Sequence, residues 1–210
     1  MINVPELHDQ HFALRHGKSI ANEKGVIASG LRGLFWYGLT DEGKQQVRES
    51  VLAAKEQGIL DEKTIIESSP MKRARQTARI AAEVLGIPRR QIRIRFGLRE
   101  RYFGQYEGGS QKHYKNSVWP VDPIFMYKRL DKVESTDHVR RRGVKAVLRN
   151  ERKYVGRNIV YVGHGDTHQI LQTAFEGIPS GDHRSVKNMG YAELRNLNSV
   201  ASSANLLQNK

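Results

Sequence analysis

Short runs of β-branched and apolar residues alternate with longer stretches in which apolar positions recur every three or four residues. That alternation predicts strands separated by helices, and so a largely parallel sheet. Strands are expected over 11–14, 64–68, 92–95 and 158–162, the last reading as the most buried. Helices are expected over 40–57, 71–85, 136–154 and 167–175. The first has Thr40 as N-cap, Asp41 and Glu42 in its first turn, and Gly58 at its end. The second stops at Gly86 and Pro88. Residues 185–197 fit one more strand or a hairpin. After Gly104 the periodicity breaks. Residues 105–134 carry Gly-Gly, two prolines and several aromatics, and are expected to form an insertion with one short helix. The last dozen residues, about 198–210, are polar and are expected to be loose.

Neither internal repeats nor a linker divides the 210 residues, so a single domain over 1–210 is expected. The chain has no cysteine, which excludes a disulfide scaffold, a thiolate zinc site and a cysteine nucleophile. No apolar run reaches the roughly 18–20 residues of a membrane span. The first ten residues lack a basic stretch followed by an apolar one, as a secretory signal would have. A cytoplasmic protein is the resulting expectation.

Charge narrows the chemistry. The net charge of +13 is unevenly spread: residues 1–70 carry 8 basic and 10 acidic side chains, 71–157 carry 23 and 8, and 158–210 carry 4 of each. A basic block of this kind suits nucleic acid, an anionic membrane or a phosphorylated substrate, or is a solvated face. No helix-turn-helix, RNA-recognition or zinc-finger pattern accompanies it, and aromatics do not interleave the basic runs, so neither a nucleic-acid partner nor a membrane is expected.

Two of the eight histidines stand out by position. His16, in Leu14-Arg15-His16-Gly17-Lys18-Ser19, follows the first strand; His164, in Val162-Gly163-His164-Gly165-Asp166, follows the strand at 158–162. Each sits at the carboxyl end of a parallel-type strand, where open α/β sheets place ligands. Gly17 and Gly165 behind them allow close approach and leave backbone N–H groups free for an anion. A third segment, Ser68-Ser69-Pro70-Met71-Lys72-Arg73, leaves a strand and enters a helix with Arg73 in its first turn. A cation there opposes the helix dipole, a placement that makes sense if an anion lies between them. Glu100 is the lone acid among six arginines between 89 and 101; it is either their counter-ion or a carboxyl facing a phosphate, which would raise its pKa.

With these segments the chain resembles the histidine phosphatase superfamily, the phosphoglycerate mutase-like group. Residues 14–22 match its Arg-His-Gly-x-Ser-x-x-Asn signature, 68–78 its second block, Leu98-Arg99-Glu100-Arg101-Tyr102-Phe103-Gly104 its acid-bearing block, and Gly163-His164-Gly165 its second histidine. The resemblance implies a three-layer α/β sandwich, with a mostly parallel central sheet flanked by helices and a lid insertion at about 105–134. It implies that His16 accepts the phosphoryl group, that Arg15, Arg73 and His164 surround the phosphoryl oxygens, and that Glu100 donates the proton. Ser19, Asn22, Gly17, Arg101, Tyr102 and Gly165 are expected to contact substrate. No metal or other cofactor is expected; a His164–His168 pair at i, i+4 lacks the acid and third ligand of a zinc site. Lys18 departs from the family, where many relatives carry Glu.

The insertion is shorter than in glycolytic mutases and lacks their Pro-rich stretch, which favours phosphomonoester hydrolysis over phosphoglycerate mutase-type transfer or an inert, phospholigand-binding member. Lys112, His113, Lys115, Lys128, Arg129 and Lys132 would make the lid basic, suited to a small, polyanionic phosphorylated substrate. The Arg140–Arg141–Arg142 run and the cluster up to Arg157 are expected to be a solvated helix face.

Overall fold

The computed structural model describes residues 7–198. Five strands form one sheet in the order β3-β2-β4-β1-β5: β1 (Gln10–Arg15), β2 (Ile65–Ser68), β3 (Arg93–Ile94), β4 (Asn158–Gly163) and β5 (Leu194–Asn196). All neighbours pair parallel except β5, which runs antiparallel beside β1 at the edge. Between β1 and β2 lie α1 (Ile20–Glu23), α2 (Leu31–Phe35) and α3 (Asp41–Glu56). Next, α4 (Lys72–Leu85) joins β2 to β3. After β3 come α5 (Gln111–His113), α6 (Asp122–Phe125) and α7 (Thr136–Glu151); α8 (Gly165–Glu176) follows β4.

The strand alternation builds three layers. Phe12 and Leu14 of β1, with Val160 and Val162 of β4, point to the face covered by α3 and α4. Ala13, Ile159 and Tyr161 point to the other face, covered by α7 and α8. Each fully buried aliphatic side chain here contributes roughly 1.5–3 kcal/mol by leaving water. Thr40 caps α3 as its sequence suggests, its hydroxyl accepting from the Gly43 N–H at 3.0 Å. Gly86 ends α4 in the left-handed conformation, at φ +78°. Among the described residues, no helix is long and apolar enough to cross a membrane.

The structure departs from the expected elements in several places. Only Arg93 and Ile94 of the span 92–95 pair in the sheet, and only Leu194–Asn196 of 185–197. The insertion holds two short α-helices joined by π and 3-10 turns, where one helix was expected; Phe103, Val118 and Val133 give it a small core of its own with Ile27. The tail expected to be loose lies, beyond Asn198, outside the described residues.

The Arg140–Arg142 run corrects the expectation of a solvated face. Only Arg141 is exposed, pairing with Asp137 one turn back. Arg140 is buried and donates to the Ile178 carbonyl at 2.6 Å. Arg142 donates to both carboxylate oxygens of the buried Glu134 and to the carbonyls of Gly97 and Arg99. Loops that leave carbonyls facing a helix need donors, and a guanidinium supplies five. Further along, Arg149 pairs with the buried Glu67 of β2.

Candidate active site

The carboxyl ends of β1, β2 and β4 converge, delivering His16, Ser69 and His164 to one edge of the sheet, and a cavity of about 390 Å³ opens there. Its lining includes Arg15, His16, Asn22, Arg73, Glu100 and Gly165. His164 lies just behind, fully buried, with its ring edge-on to His16 at 5.1 Å between centroids.

The hydrogen bonds of His16 distinguish its two ring nitrogens. Its Nδ1 faces the Gly17 carbonyl at 2.8 Å and so must carry the proton, which leaves the lone pair on Nε2. That lone pair accepts the Arg73 Nε–H at 3.0 Å, and Arg73 Nη1 is fixed to the Ala28 carbonyl at 3.1 Å. Burial, then the neighbouring Arg73 and Arg15 guanidinium groups, hold the His16 pKa well below the usual histidine value. The ring is therefore neutral at neutral pH. Burial also brings Arg73 down to about 10, which still leaves it charged.

His164 Nε2 is held by the Ser69 hydroxyl at 2.8 Å, while Ser69 Oγ accepts the Met71 N–H at 3.2 Å. With the hydroxyl proton donated to Nε2, which Ser69 Oγ is free to do, His164 Nδ1 carries the N–H. This N–H and the Nε–H of Arg15 are both buried without an acceptor among the described residues. Two unmet buried donors cost about 1–3 kcal/mol each, so the site is built for an acceptor that is not protein. Arg15 is otherwise anchored on the Met189 carbonyl and stacked on Tyr191 at 4.4 Å. A Cβ on Gly165 would stand 3.3 Å from the Arg15 guanidinium, a tight contact that glycine avoids.

Glu100 enters from the far side. Its Oε1 accepts from the Arg101 N–H and from the backbone and hydroxyl of Thr167, at 3.0–3.3 Å. Burial, reinforced by the nearby Asp166 carboxylate, raises its pKa despite Arg73 and these donors. A carboxyl held towards its acid form beside a neutral imidazole is an acid–base pair.

The structure separates the expected substrate contacts into two groups. Asn22 and Gly165 line the cavity; Gly17, Ser19, Arg101 and Tyr102 do not. Ser19 instead caps α1, in a reciprocal capping box with Asn22. Gly17 is pressed against the Gly43 carbonyl of α3, where a Cβ would collide with backbone. Arg101 is a buried strut between Asp122 of the insertion, at 2.6 and 2.7 Å, and Asp166, at 3.3 Å. Tyr102 is exposed, and its backbone pairs with Glu134. Lys18 turns away onto Glu42 at 2.6 Å. His164 and His168 face different partners, the Ser69 hydroxyl and the Leu14 carbonyl.

Sequence reasoning missed the outer wall: Gln111, Tyr114 and Trp119 of the insertion, Gln169 of α8, and Arg184, Asn188 and Tyr191 before β5. Arg184 stacks on Trp119 at 3.7 Å and donates to Gln169 and Asn188, tying the insertion to the C-terminal segment. Of the lid cations, Lys115 lines the cavity, whereas Lys112, His113, Lys128, Arg129 and Lys132 do not. In the sequence residues 185–197 read as a strand or a hairpin, and only the fold brings Arg184, Asn188 and Tyr191 to the site.

Residues 12–207 match the family model described as the histidine phosphatase superfamily (branch 1). "Putative phosphoserine phosphatase 2" of Hydrogenobacter thermophilus is 31% identical over 175 residues, covering 80% of this chain and 78% of that protein. A 2,3-bisphosphoglycerate-dependent phosphoglycerate mutase of Parvibaculum lavamentivorans is 30% identical over 116 residues, 55% of this chain and 52% of its own length. Among solved structures, the mycobacterial glucosyl-3-phosphoglycerate phosphatase superposes with a TM-score of 0.69 at 21% identity, over 88% of each chain. Phosphoserine phosphatase from Entamoeba histolytica in complex with 3-phosphoglyceric acid gives 0.69 at 20% identity, over 89% of this chain and 88% of its own.

Proposed function

The chain belongs to the histidine phosphatase superfamily, and from that membership we propose that it hydrolyses small phosphomonoesters through a phosphohistidine on His16, without a metal ion. The observation that carries this is the pair of unmet buried donors, Arg15 Nε–H and His164 Nδ1–H, beside a neutral imidazole whose lone pair is on Nε2.

The phosphoryl oxygens of the substrate take up those two donors and draw the Arg73 Nε–H off His16 Nε2. The freed lone pair attacks phosphorus in line. As the N–P bond forms, the P–O ester bond breaks, and Glu100 passes its proton to the leaving oxygen. The departing alcohol is replaced by water, from which the Glu100 carboxylate takes a proton as the water oxygen bonds to phosphorus. The N–P bond breaks, its electron pair returns to His16, and inorganic phosphate leaves. Charge on the three equatorial oxygens is met throughout by fixed donors, the main requirement of phosphoryl transfer. Lys115 and Arg184 on the outer wall suit a substrate bearing a second anionic group, as in the phosphoserine and phosphoglycerate compounds named for the relatives.

With p-nitrophenyl phosphate, His16→Ala should lower kcat at least about 10³-fold; equal rates for the two proteins would refute the proposal. The mutase relative motivates a second assay, 3-phosphoglycerate with and without 2,3-bisphosphoglycerate. Phosphate release without isomerisation is the expected result.

A further inference from the structure

At the opposite end of β1 from His16, a second group of titratable side chains gathers. Ligand atoms of His8, Asp9 and Glu151 lie within 4.8 Å of one another. Six residues of strand separate them from the catalytic end, roughly 20 Å.

Glu151 is firmly oriented. Asn150 Nδ2 donates to the Tyr161 hydroxyl at 3.1 Å, and, because the Glu151 carboxylate on His11 Nε2 can only accept, that hydroxyl donates to the Nδ1 of the neutral His11 ring at 2.9 Å. His11 Nε2–H is thereby directed at Glu151 Oε1, 2.6 Å away. The backbone N–H groups of His8 and Asp9 also donate to this carboxylate, and His8 Nδ1 lies 2.7 Å from Oε2. Asp9 is fully buried; its Oδ1 accepts the Arg157 N–H at 2.7 Å. Its Oδ2 is shut off from solvent with no donor, and no ion pair reaches Asp9 among the described residues. A buried carboxylate oxygen with no partner is costly, and a cation would satisfy it.

We infer that His8, Asp9 and Glu151 form a binding site for a divalent metal ion of the zinc class, with His11 holding Glu151 in place. One imidazole nitrogen, two carboxylate oxygens and a water complete a tetrahedral set. Around such an ion, ligands at about 2.1 Å lie roughly 3.4 Å apart. The exposed His8 can open its contact with Glu151 from 2.7 Å to that separation, and it offers the entry path. The hydrogen-bonded chain behind Glu151 is the kind of support that metal carboxylates have. The ion would clasp the start of β1 to the end of α7; it has no part in phosphoryl transfer.

The test is titration of the EDTA-stripped full-length chain with zinc chloride, by calorimetry and by thermal unfolding. One saturable equivalent that raises Tm is expected. His8→Ala and Asp9→Asn should weaken it at least tenfold, and His113→Ala on the insertion should leave it unchanged. If Asp9→Asn fails to fold, His8→Ala carries the test, since that side chain is more than half exposed. No saturable equivalent, or wild-type affinity in His8→Ala, would overturn the inference.

Discussion

Glu100 and His16 are displaced in opposite directions, and the pH profile follows. His16, held low by burial and two guanidinium groups, loses its lone pair only when pH falls below its depressed pKa. Glu100, held high by burial and Asp166, loses its proton as pH rises through its elevated pKa. kcat/KM should therefore be bell-shaped, with Glu100 on the alkaline limb. In Glu100→Gln, turnover of an alkyl phosphomonoester should drop about 10²–10⁴-fold and that limb should vanish; its persistence would assign the acid elsewhere. The motif positions of these two residues are visible in the sequence, but the charge states are not. They depend first on burial, and then on Arg73, Arg15 and Asp166, which the fold brings from α4, β1 and α8.

Helix α7 shows how an element can mislead when read alone. Three consecutive arginines look like a solvated face, yet a helix turns 100° per residue and spreads them over three directions. Arg142 falls against Glu134 and the 97–99 loop, Arg140 against Ile178, and Arg141 against water. Arg142→Ala should cost about 1–3 kcal/mol in urea unfolding, because it leaves Glu134 only Arg99 and the Tyr102 N–H and takes a donor from the Gly97 and Arg99 carbonyls. Arg141→Ala should change stability by less than about 0.5 kcal/mol. Burial raises the Glu134 pKa, but Arg142 and Arg99 outweigh it and hold the carboxyl below the usual value of about 4.3. Its stabilising contribution is complete above that value and is lost as pH falls through the folded-state pKa. Helix periodicity and caps made α3, α4, α7 and α8 legible. α1 and α2, four and five residues long, carry too little periodicity to be read.

Across the whole molecule, the basic side chains with defined partners or a place in the cavity fall into three groups. Arg15 and Arg73 line the cavity beside His16, Arg101, Arg140 and Arg142 brace the fold, and Lys115 with Arg184 lines the outer cavity. His16 and His164 could be singled out because each follows a strand end, and the roles of the other motif residues came from the resemblance of their blocks to the family's. The outer wall could not be read in either way, since Arg184 and Trp119 meet only through the tertiary fold. Lys115→Ala should lower kcat/KM for phosphoserine or a phosphoglycerate about tenfold or more while leaving p-nitrophenyl phosphate nearly unchanged. Lys112→Ala, outside the cavity, should leave both substrates unchanged. The bond from Arg73 Nε to His16 Nε2 has one more consequence. On the proposed mechanism the nucleophile is capped at rest, and an anion that competes for the guanidinium uncaps it. Uncharged electrophiles such as phosphotriesters and acylating reagents bring no such anion, so the same contact that awaits the substrate protects the histidine from them.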